Sequence, residues 1–179
     1  NVEVEDETHW EEARTYVLGT ALAISFFMRG IVPFHMSSVQ LGATAFSFAG
    51  ESNAGKSTWA ALSILELGGV LLTDDVARVS GDQLTRRATI WPSLRRLRFR
   101  EDIGSMLLGR GLRTVRDPQG RLECYDFKSS ENCCDLRIVF LPVACSGQEI
   151  TVVRVGPERR LAEIMSNVFR LEYGVSILG

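Results

Sequence analysis

The sequence is poor in lysine, in histidine and in long apolar segments. It contains two lysines, Lys56 and Lys128. Its net charge is only −2, and we expect no nucleic-acid partner. No apolar run approaches the roughly 20 residues of a membrane span, so we expect no membrane partner. The two histidines, His9 and His35, lie far from the four cysteines, which form no C-x-x-C motif, and a zinc site is not expected.

The length of 179 residues is that of one domain, and we treat residues 1–179 as a single domain. The chain begins at Asn1 rather than at a methionine and ends in the apolar segment EYGVSILG. We interpret it as a trimmed piece. The four cysteines are expected to be reduced thiols, which favours a cytoplasmic location.

Arginine replaces lysine almost throughout, with eighteen arginines in the chain. Residues 86–121 hold ten arginines and three acids, a local charge of +7 that leaves −9 for the remainder. This segregation favours an anionic ligand or partner near the stretch, and a solvated basic face is the alternative. We predict substrate contacts from three members, with the last as first choice because apolar residues flank it: Arg95, Arg96 and Arg98.

The hydrophobic pattern predicts a single α/β domain with a mixed sheet and flanking helices. Helices are expected over residues 8–29, where Thr8 and Glu11 form a capping box, over 56–66, over 101–109 and from Pro157 onward. Strands are expected over 34–39, 43–49, 70–74, 135–144 and 149–155, with an edge strand within 93–99. A hairpin over 76–84 is expected to turn at residues 80–82, and residues 116–120 form another turn.

Residues 50–57, GESNAGKS, fit the motif G-x-x-x-x-G-K-[ST], with an apolar strand before it and a helix after it. In such a loop, backbone N–H groups surround phosphate oxygens at the positive end of the following helix. Lys56 can reach the β- and γ-phosphates and Ser57 can hold Mg²⁺. The motif therefore predicts ATP and magnesium as cofactors. The nucleotide-binding residues are expected to be Gly50, Glu51, Ser52, Asn53, Ala54, Gly55, Lys56, Ser57 and Thr58.

Two adjacent acids, Asp74 and Asp75, end the segment VLLTDD eighteen residues after Lys56. We expect their strand to lie beside the strand that enters the loop, with its carboxyl end at the phosphates. One carboxylate suffices for the metal, and a second suits removal of a proton from an attacking hydroxyl. A polar turn after a strand is the alternative interpretation. His35 lies fifteen residues before Gly50, on a predicted strand that can lie next to the loop.

Taken together, these elements resemble the HPr kinase/phosphorylase superfamily. The similarity lies in FHMSSVQLGATAFSFAGESNAGKST and GGVLLTDDV, within residues 31–80. It implies a P-loop domain of the phosphoenolpyruvate-carboxykinase-like type. It also implies that Asp74 is the general base, that Asp75 and Ser57 hold the metal, and that His35 and Lys56 act at the phosphate.

The region after the second motif reads TIWPSLRRLRFRED in place of the family's glutamate-containing glycine-rich signature, which argues against HPr as the acceptor. The lead-in GTALAISFFMRGIVPFHMSSV is more similar to the shorter HPr kinase-like enzymes of lasso-peptide biosynthesis, which phosphorylate a C-terminal serine of the precursor peptide. The resemblance thus implies an ATP- and Mg²⁺-dependent kinase acting on a seryl hydroxyl of a peptide or small protein.

Three alternatives remain open at this point. They are a bifunctional HPr serine kinase/phosphorylase, a kinase for free serine or a similar alcohol, and a nucleotide-sensing module that transfers no phosphate. The pair of acids favours transfer, because a sensor would need only the metal carboxylate. The acceptor and the oligomeric state, including a homo-oligomer, are not determined by the sequence.

Overall fold

The computed structural model describes residues 10–110, 112–117, 120–144 and 149–178. The predicted N-terminal helix is confirmed within these residues as α1 (Trp10–Tyr16), a π-helical turn (Val17–Ala21) and α2 (Leu22–Phe27). The π-helical turn was not expected, and Thr8 of the predicted cap lies outside the described residues. Within the described ranges, no helix has the length and apolar character needed to cross a bilayer.

Seven strands form the main sheet, numbered in chain order with β7–β9 in a second sheet. Their bounds are β1 Pro33–Phe34, β2 Met36–Leu41, β3 Thr44–Ala49, β4 Val70–Thr73, β5 Ala77–Asp82, β6 Arg87–Trp91 and β10 Cys134–Phe140. Their order across the sheet is β1-β5-β6-β10-β3-β2-β4. Strands β10 and β3 pair in parallel, and the other pairings are antiparallel. The predicted mixed sheet and α/β class are therefore confirmed.

The main sheet curls, and His35 lies where it curls. Strands β1 and β2 are separated in the chain by His35 alone, yet β1 is at one end of the strand order and β2 is next to the other end. A flat sheet of seven strands about 4.8 Å apart could not satisfy both facts. The curvature brings the two ends of the sheet together around this histidine.

A second, three-stranded sheet has the order β7-β9-β8, with β7 Leu97–Phe99, β8 Thr114–Arg116 and β9 Leu122–Cys124. The edge strand expected within residues 93–99 is confirmed as β7. Helix α4 (Glu101–Leu108) follows it, as the sequence predicts. The chain reverses between β8 and β9, where Asp117 N–H donates to the carbonyl of Arg121.

Helix α3 (Lys56–Leu67) packs on one face of the main sheet, between it and the second sheet. Alternate strand residues point to opposite faces, so Phe48 and Leu71 belong to the α3 side while Ala49 and Leu72 belong to the other core. Gly68, in a left-handed conformation with φ of 69°, ends α3 close to the predicted boundary.

The structure corrects three expectations about the strands. Strand β4 pairs with β2, so β2 separates it from β3, the strand that enters the loop. The hairpin of β5 and β6 turns at residues 83–86 rather than 80–82, because the Asp82 carboxylate accepts hydrogen bonds from the N–H groups of Leu84 and Thr85. In the described part of the chain, residues 149–155 join neither sheet.

The C-terminal helices are α5 (Pro157–Ser166) and α6 (Leu171–Leu178). Helix α5 begins at the proline, as predicted, because the first helical position needs no N–H donor. Its apolar face, however, is exposed at Leu161, Ile164 and Met165, and only Val168 beyond the helix is buried. The helix predicted from Pro157 onward is therefore confirmed, and the side of it that carries these apolar residues is largely exposed.

Candidate functional site

The main sheet brings the predicted site residues to one edge. Strands β3 and β4 run in the same direction on either side of β2, so their carboxyl ends lie beside the start of β2. The register pairs Met36 with Ala49 and Ser38 with Thr73. His35, Gly50 and Asp74, each just beyond one of these strand ends, therefore meet at the same edge.

The glycine-rich loop, residues 50–55, has three residues in left-handed conformations. The φ angles are 138° at Gly50, 68° at Asn53 and 87° at Gly55. A Cβ built on Gly50 would approach Ala54 Cβ only to 3.5 Å, so conformation rather than crowding requires glycine there. Helix α3 follows at once, and its first N–H groups, which have no acceptor within the helix, lie next to the loop.

Lys56 lies beneath the glycine-rich loop and links its first residues. Its Nζ donates to the carbonyl oxygen of Gly50 at 2.9 Å and to that of Glu51 at 2.8 Å. Burial lowers the pKa of Lys56, while the nearby charges of Asp74 and Asp75 oppose this shift. The lysine is thus placed next to the position where the motif predicts phosphate.

Asp74 is buried and is surrounded by hydrogen-bond donors. Ser57 Oγ donates to its carboxylate oxygens at 3.0 and 3.2 Å, Ser37 Oγ donates to Oδ1, and the backbone N–H of Arg98 donates as well. Burial, followed by the charge of Asp75, raises the pKa of Asp74 to about 7 despite these donors. Ser37 was not predicted, although a serine in a buried strand is a signal that could have been used.

Asp75 differs from its neighbour because its side chain is about one-third exposed and its backbone is left-handed, with φ of 66°. Its Oδ1 lies 3.9 Å from His35 Nε2. Burial and then the charge of Lys56 lower the pKa of His35, and Asp75 opposes them. In a continuing strand the two acids would point to opposite faces. The left-handed residue ends that alternation, so both carboxylates reach the site.

A cavity of about 410 Å³ lies beside Asp75. It is bounded by the π-helical turn, by Asp75 and Val76, by Phe169 and Arg170, and by the arginines Arg96 and Arg98. A ligand in this cavity would therefore meet Asp75 and would not need to cross the glycine-rich loop. The sequence had indicated a helix over the π-helical turn but not that this helix lines the site.

Asn167, which the sequence analysis did not select, contacts the site from the end of α5. Its Oδ1 accepts a hydrogen bond from the N–H of Gly50, and its backbone carbonyl accepts one from His35 N–H at 2.7 Å. The ring of Phe169 contacts the ring of His35 edge-on, with centroids 5.6 Å apart. No local pattern could reveal these contacts, because Asn167 is 117 residues from Gly50.

The three arginines predicted to bind substrate each pair with a carboxylate. Arg96 contacts Glu123 at 2.6 Å, and Arg98 contacts Asp117 at 2.6 Å and Glu123 at 3.1 Å. Arg95, which is more exposed, lies 3.5 Å from Glu131. Other arginines of the +7 stretch pair in the same way: Arg87 with Asp135, Arg110 with Glu66, Arg113 with Asp126 and Arg116 with Glu101. Folding thus compensates much of the charge that the sequence segregates.

No cluster of three or more His, Cys, Asp or Glu side chains capable of holding a metal occurs among the residues that the structure describes. The hydroxyl of Ser57 and the carboxylate of Asp74 do form an adjacent pair of oxygen donors. Mg²⁺ in nucleotide sites commonly takes only one or two protein ligands together with phosphate oxygens and water.

Comparison with known proteins found no matching family model and no similar curated protein. The case for a function therefore depends on the geometry of the site.

Proposed function

We propose that the protein is an ATP- and Mg²⁺-dependent kinase of the HPr kinase-like type, with a P-loop fold, that phosphorylates a seryl hydroxyl of a peptide or small protein. The observation that carries this proposal is the meeting, at one sheet edge, of a glycine-rich loop with two unlike carboxylates. Asp74 is buried against Ser57, whereas Asp75 reaches a cavity. A nucleotide sensor would need the first carboxylate but not the second.

The residues at the loop fit a nucleotide with its metal. The loop has left-handed residues and leads directly into α3, whose first N–H groups have no acceptor within the helix, an arrangement suited to phosphate binding. Two of the three N–H donors of Lys56 contact loop carbonyls, and the third can meet a phosphate oxygen. Ser57 and Asp74 would hold Mg²⁺, which when bound neutralises charge on the phosphates.

The geometry favours exchanging the roles that the resemblance implies for the two acids. Asp74 accepts a hydrogen bond from Ser57, the predicted metal ligand, and it is fully buried. Asp75 is partly exposed, lines the cavity and lies near His35. We therefore assign Asp74 to the metal side and Asp75 to proton transfer.

In the proposed reaction, Asp75 accepts the proton of the acceptor hydroxyl while the hydroxyl oxygen forms a bond to the γ-phosphorus. The bond between the γ-phosphorus and the β–γ bridging oxygen breaks, its electrons leave with ADP, and Asp75 later releases the proton to solvent. His35 orients Asp75 as a neutral imidazole, because its pKa is lowered by burial and by Lys56. The cavity would admit the acceptor from the side away from the nucleotide.

The test compares two lysine variants. Lys56→Ala should weaken Mg-ATP binding about tenfold or more in titration calorimetry and abolish transfer, because it removes the point charge at the phosphates. Lys128→Ala is the matched control, since its side chain is exposed and lies outside the site. Unchanged affinity in a folded Lys56→Ala protein would contradict the nucleotide site.

Transfer itself is measured by mass spectrometry, as a gain of one phosphate on serine-containing peptides incubated with the protein, ATP and Mg²⁺. Free serine is included as a second acceptor, which tests the small-molecule alternative. Tight ATP binding with no phosphate gained by any acceptor would favour the nucleotide-sensing module.

A further inference from the structure

Asn167 is buried and makes a side-chain hydrogen bond to the first residue of the glycine-rich loop. Its Nδ2 donates to the carbonyl of Glu163 at 2.8 Å, in the last turn of α5. The donor of an amide is its nitrogen and the acceptor is its oxygen, so the bond from Nδ2 to Glu163 leaves Oδ1 to accept from Gly50. The hydrogen bond to α5 therefore holds the Asn167 side chain in the orientation in which it contacts the loop.

The backbone around Asn167 runs beside the strand that leads to His35. The Asn167 carbonyl accepts from His35 N–H at 2.7 Å, and Phe169 N–H donates to the carbonyl of Pro33 at 2.9 Å. Phe34 and Val168 form an antiparallel bridge between these two bonds. One short segment thus holds both the histidine and, through one side chain, the glycine-rich loop.

This contact determines how the loop begins. Gly50 adopts a φ of 138°, a conformation open to glycine but strained for other residues, and its N–H donates to Asn167 Oδ1. A partly buried N–H that loses its acceptor is destabilised, so removal of the Asn167 amide should release the loop from this conformation.

We propose that Asn167 is a positioning residue, which fixes the start of the glycine-rich loop relative to His35 and so presets the phosphate site. Its effect on ATP rests on the proposed function, whereas its effect on the loop does not. Asn167 touches no reacting atom and acts through Gly50 and through the backbone of His35.

Amide hydrogen exchange of the nucleotide-free full chain tests the proposal at single residues by NMR. In Asn167→Ala the Gly50 amide should exchange about tenfold faster, and the affinity for Mg-ATP should fall about tenfold, because the loop loses its preset geometry. In Asn167→Asp a carboxylate oxygen can still accept from Gly50 although the bond from Nδ2 to Glu163 is lost, so exchange at Gly50 should rise less than in the alanine variant. Ser176→Ala is the matched control, since it removes an exposed hydrogen bond to Glu172 within α6.

Three results would overturn the role of Asn167. They are unchanged exchange at Gly50 in the alanine variant, exchange in the aspartate variant as fast as in alanine, or a uniform rise over all protected amides, which would mean that Asn167 supports the fold as a whole. If the wild type binds no nucleotide, the proposed function fails, while the exchange comparison at Gly50 still decides whether Asn167 positions the loop.

Discussion

Two clusters of buried charge in this protein are built in opposite ways. In the second sheet, the buried carboxylate of Glu123 is matched by the guanidinium groups of Arg96 and Arg98. At the edge of the main sheet, the buried carboxylate of Asp74 is held by two serine hydroxyls and a backbone N–H, with a second acid, Asp75, next to it in the chain.

This difference distinguishes buried charges that are neutralised by an ion pair within the fold from a buried carboxylate that is held by neutral donors and can meet a ligand. A buried ion pair repays its desolvation only while both partners are present, so the arginine cluster favours one arrangement of the chain. In the acidic pair, hydrogen bonds offset the desolvation of Asp74 only in part, and this is seen in the raised pKa of Asp74. Such shifted groups at a cleft are common in functional sites. The charge of the arginine cluster, by contrast, is largely compensated within the fold, although Arg96 and Arg98 also line the cavity.

The largest expected effect concerns the acidic pair. Asp75→Asn should lower the rate of phosphoryl transfer by about 10²–10⁴-fold, because it removes the proton acceptor, while ATP affinity stays within a few-fold. Asp74→Asn should instead weaken Mg²⁺ dependence and nucleotide binding together. Single-turnover rates and titrations against Mg²⁺ would measure both. The opposite pattern would restore Asp74 as the base, as the resemblance implies.

The arginine cluster should show its effect in stability. Glu123→Gln leaves two buried guanidinium groups without their shared carboxylate, and it should destabilise the fold by about 3–5 kcal/mol, or about 10 °C in melting temperature. Glu101→Gln removes an exposed ion pair with Arg116 and serves as the control, with a shift of about 2 °C at most. Equal shifts in the two thermal melts would contradict the contrast between buried and exposed pairs.

The raised pKa of Asp74 makes the stability of the acidic pair depend on pH. Its pKa rises from 3.8 to about 7 on folding, so between these values the folded state binds more protons than the unfolded state. Stability from this group therefore falls as pH rises from about 4 to 7. Nucleotide-free Asp74→Asn should melt about 5–10 °C above the wild type at pH 8, with the difference vanishing near pH 4. A constant difference across this range would disprove the linkage.

The smallest effect is expected at Arg95. Its pair with Glu131 is largely exposed, so Arg95→Glu should change the melting temperature by about 2 °C at most. We also expect acceptor KM and its salt dependence to change less than about twofold, since the arginine does not line the cavity. A large rise in acceptor KM would instead indicate that Arg95 binds the acceptor.

Of the two regions, the edge of the main sheet could largely be predicted from the sequence, whereas the ion pairs of the arginine cluster could not. The glycine-rich loop, helix α3 and the acids after β4 follow from local patterns, because each depends on residues close in the chain. The pairing of the arginines with acids did not follow, because their partners Glu123, Glu131 and Asp135 come from later segments. Net charge along a chain records composition, whereas compensation depends on which side chains folding brings within a few ångströms.

The sequence by itself therefore determined most of the elements and the glycine-rich loop between β3 and α3, since periodicity and motif spacing are local properties. Only the tertiary structure decided that β2 separates β4 from β3, that the two acids differ in burial, and that Asn167 reaches Gly50. These features depend on strand order, on the curl of the sheet around His35 and on a contact across 117 residues. Such contacts come from the packing of the whole chain, and no stretch of it encodes them alone.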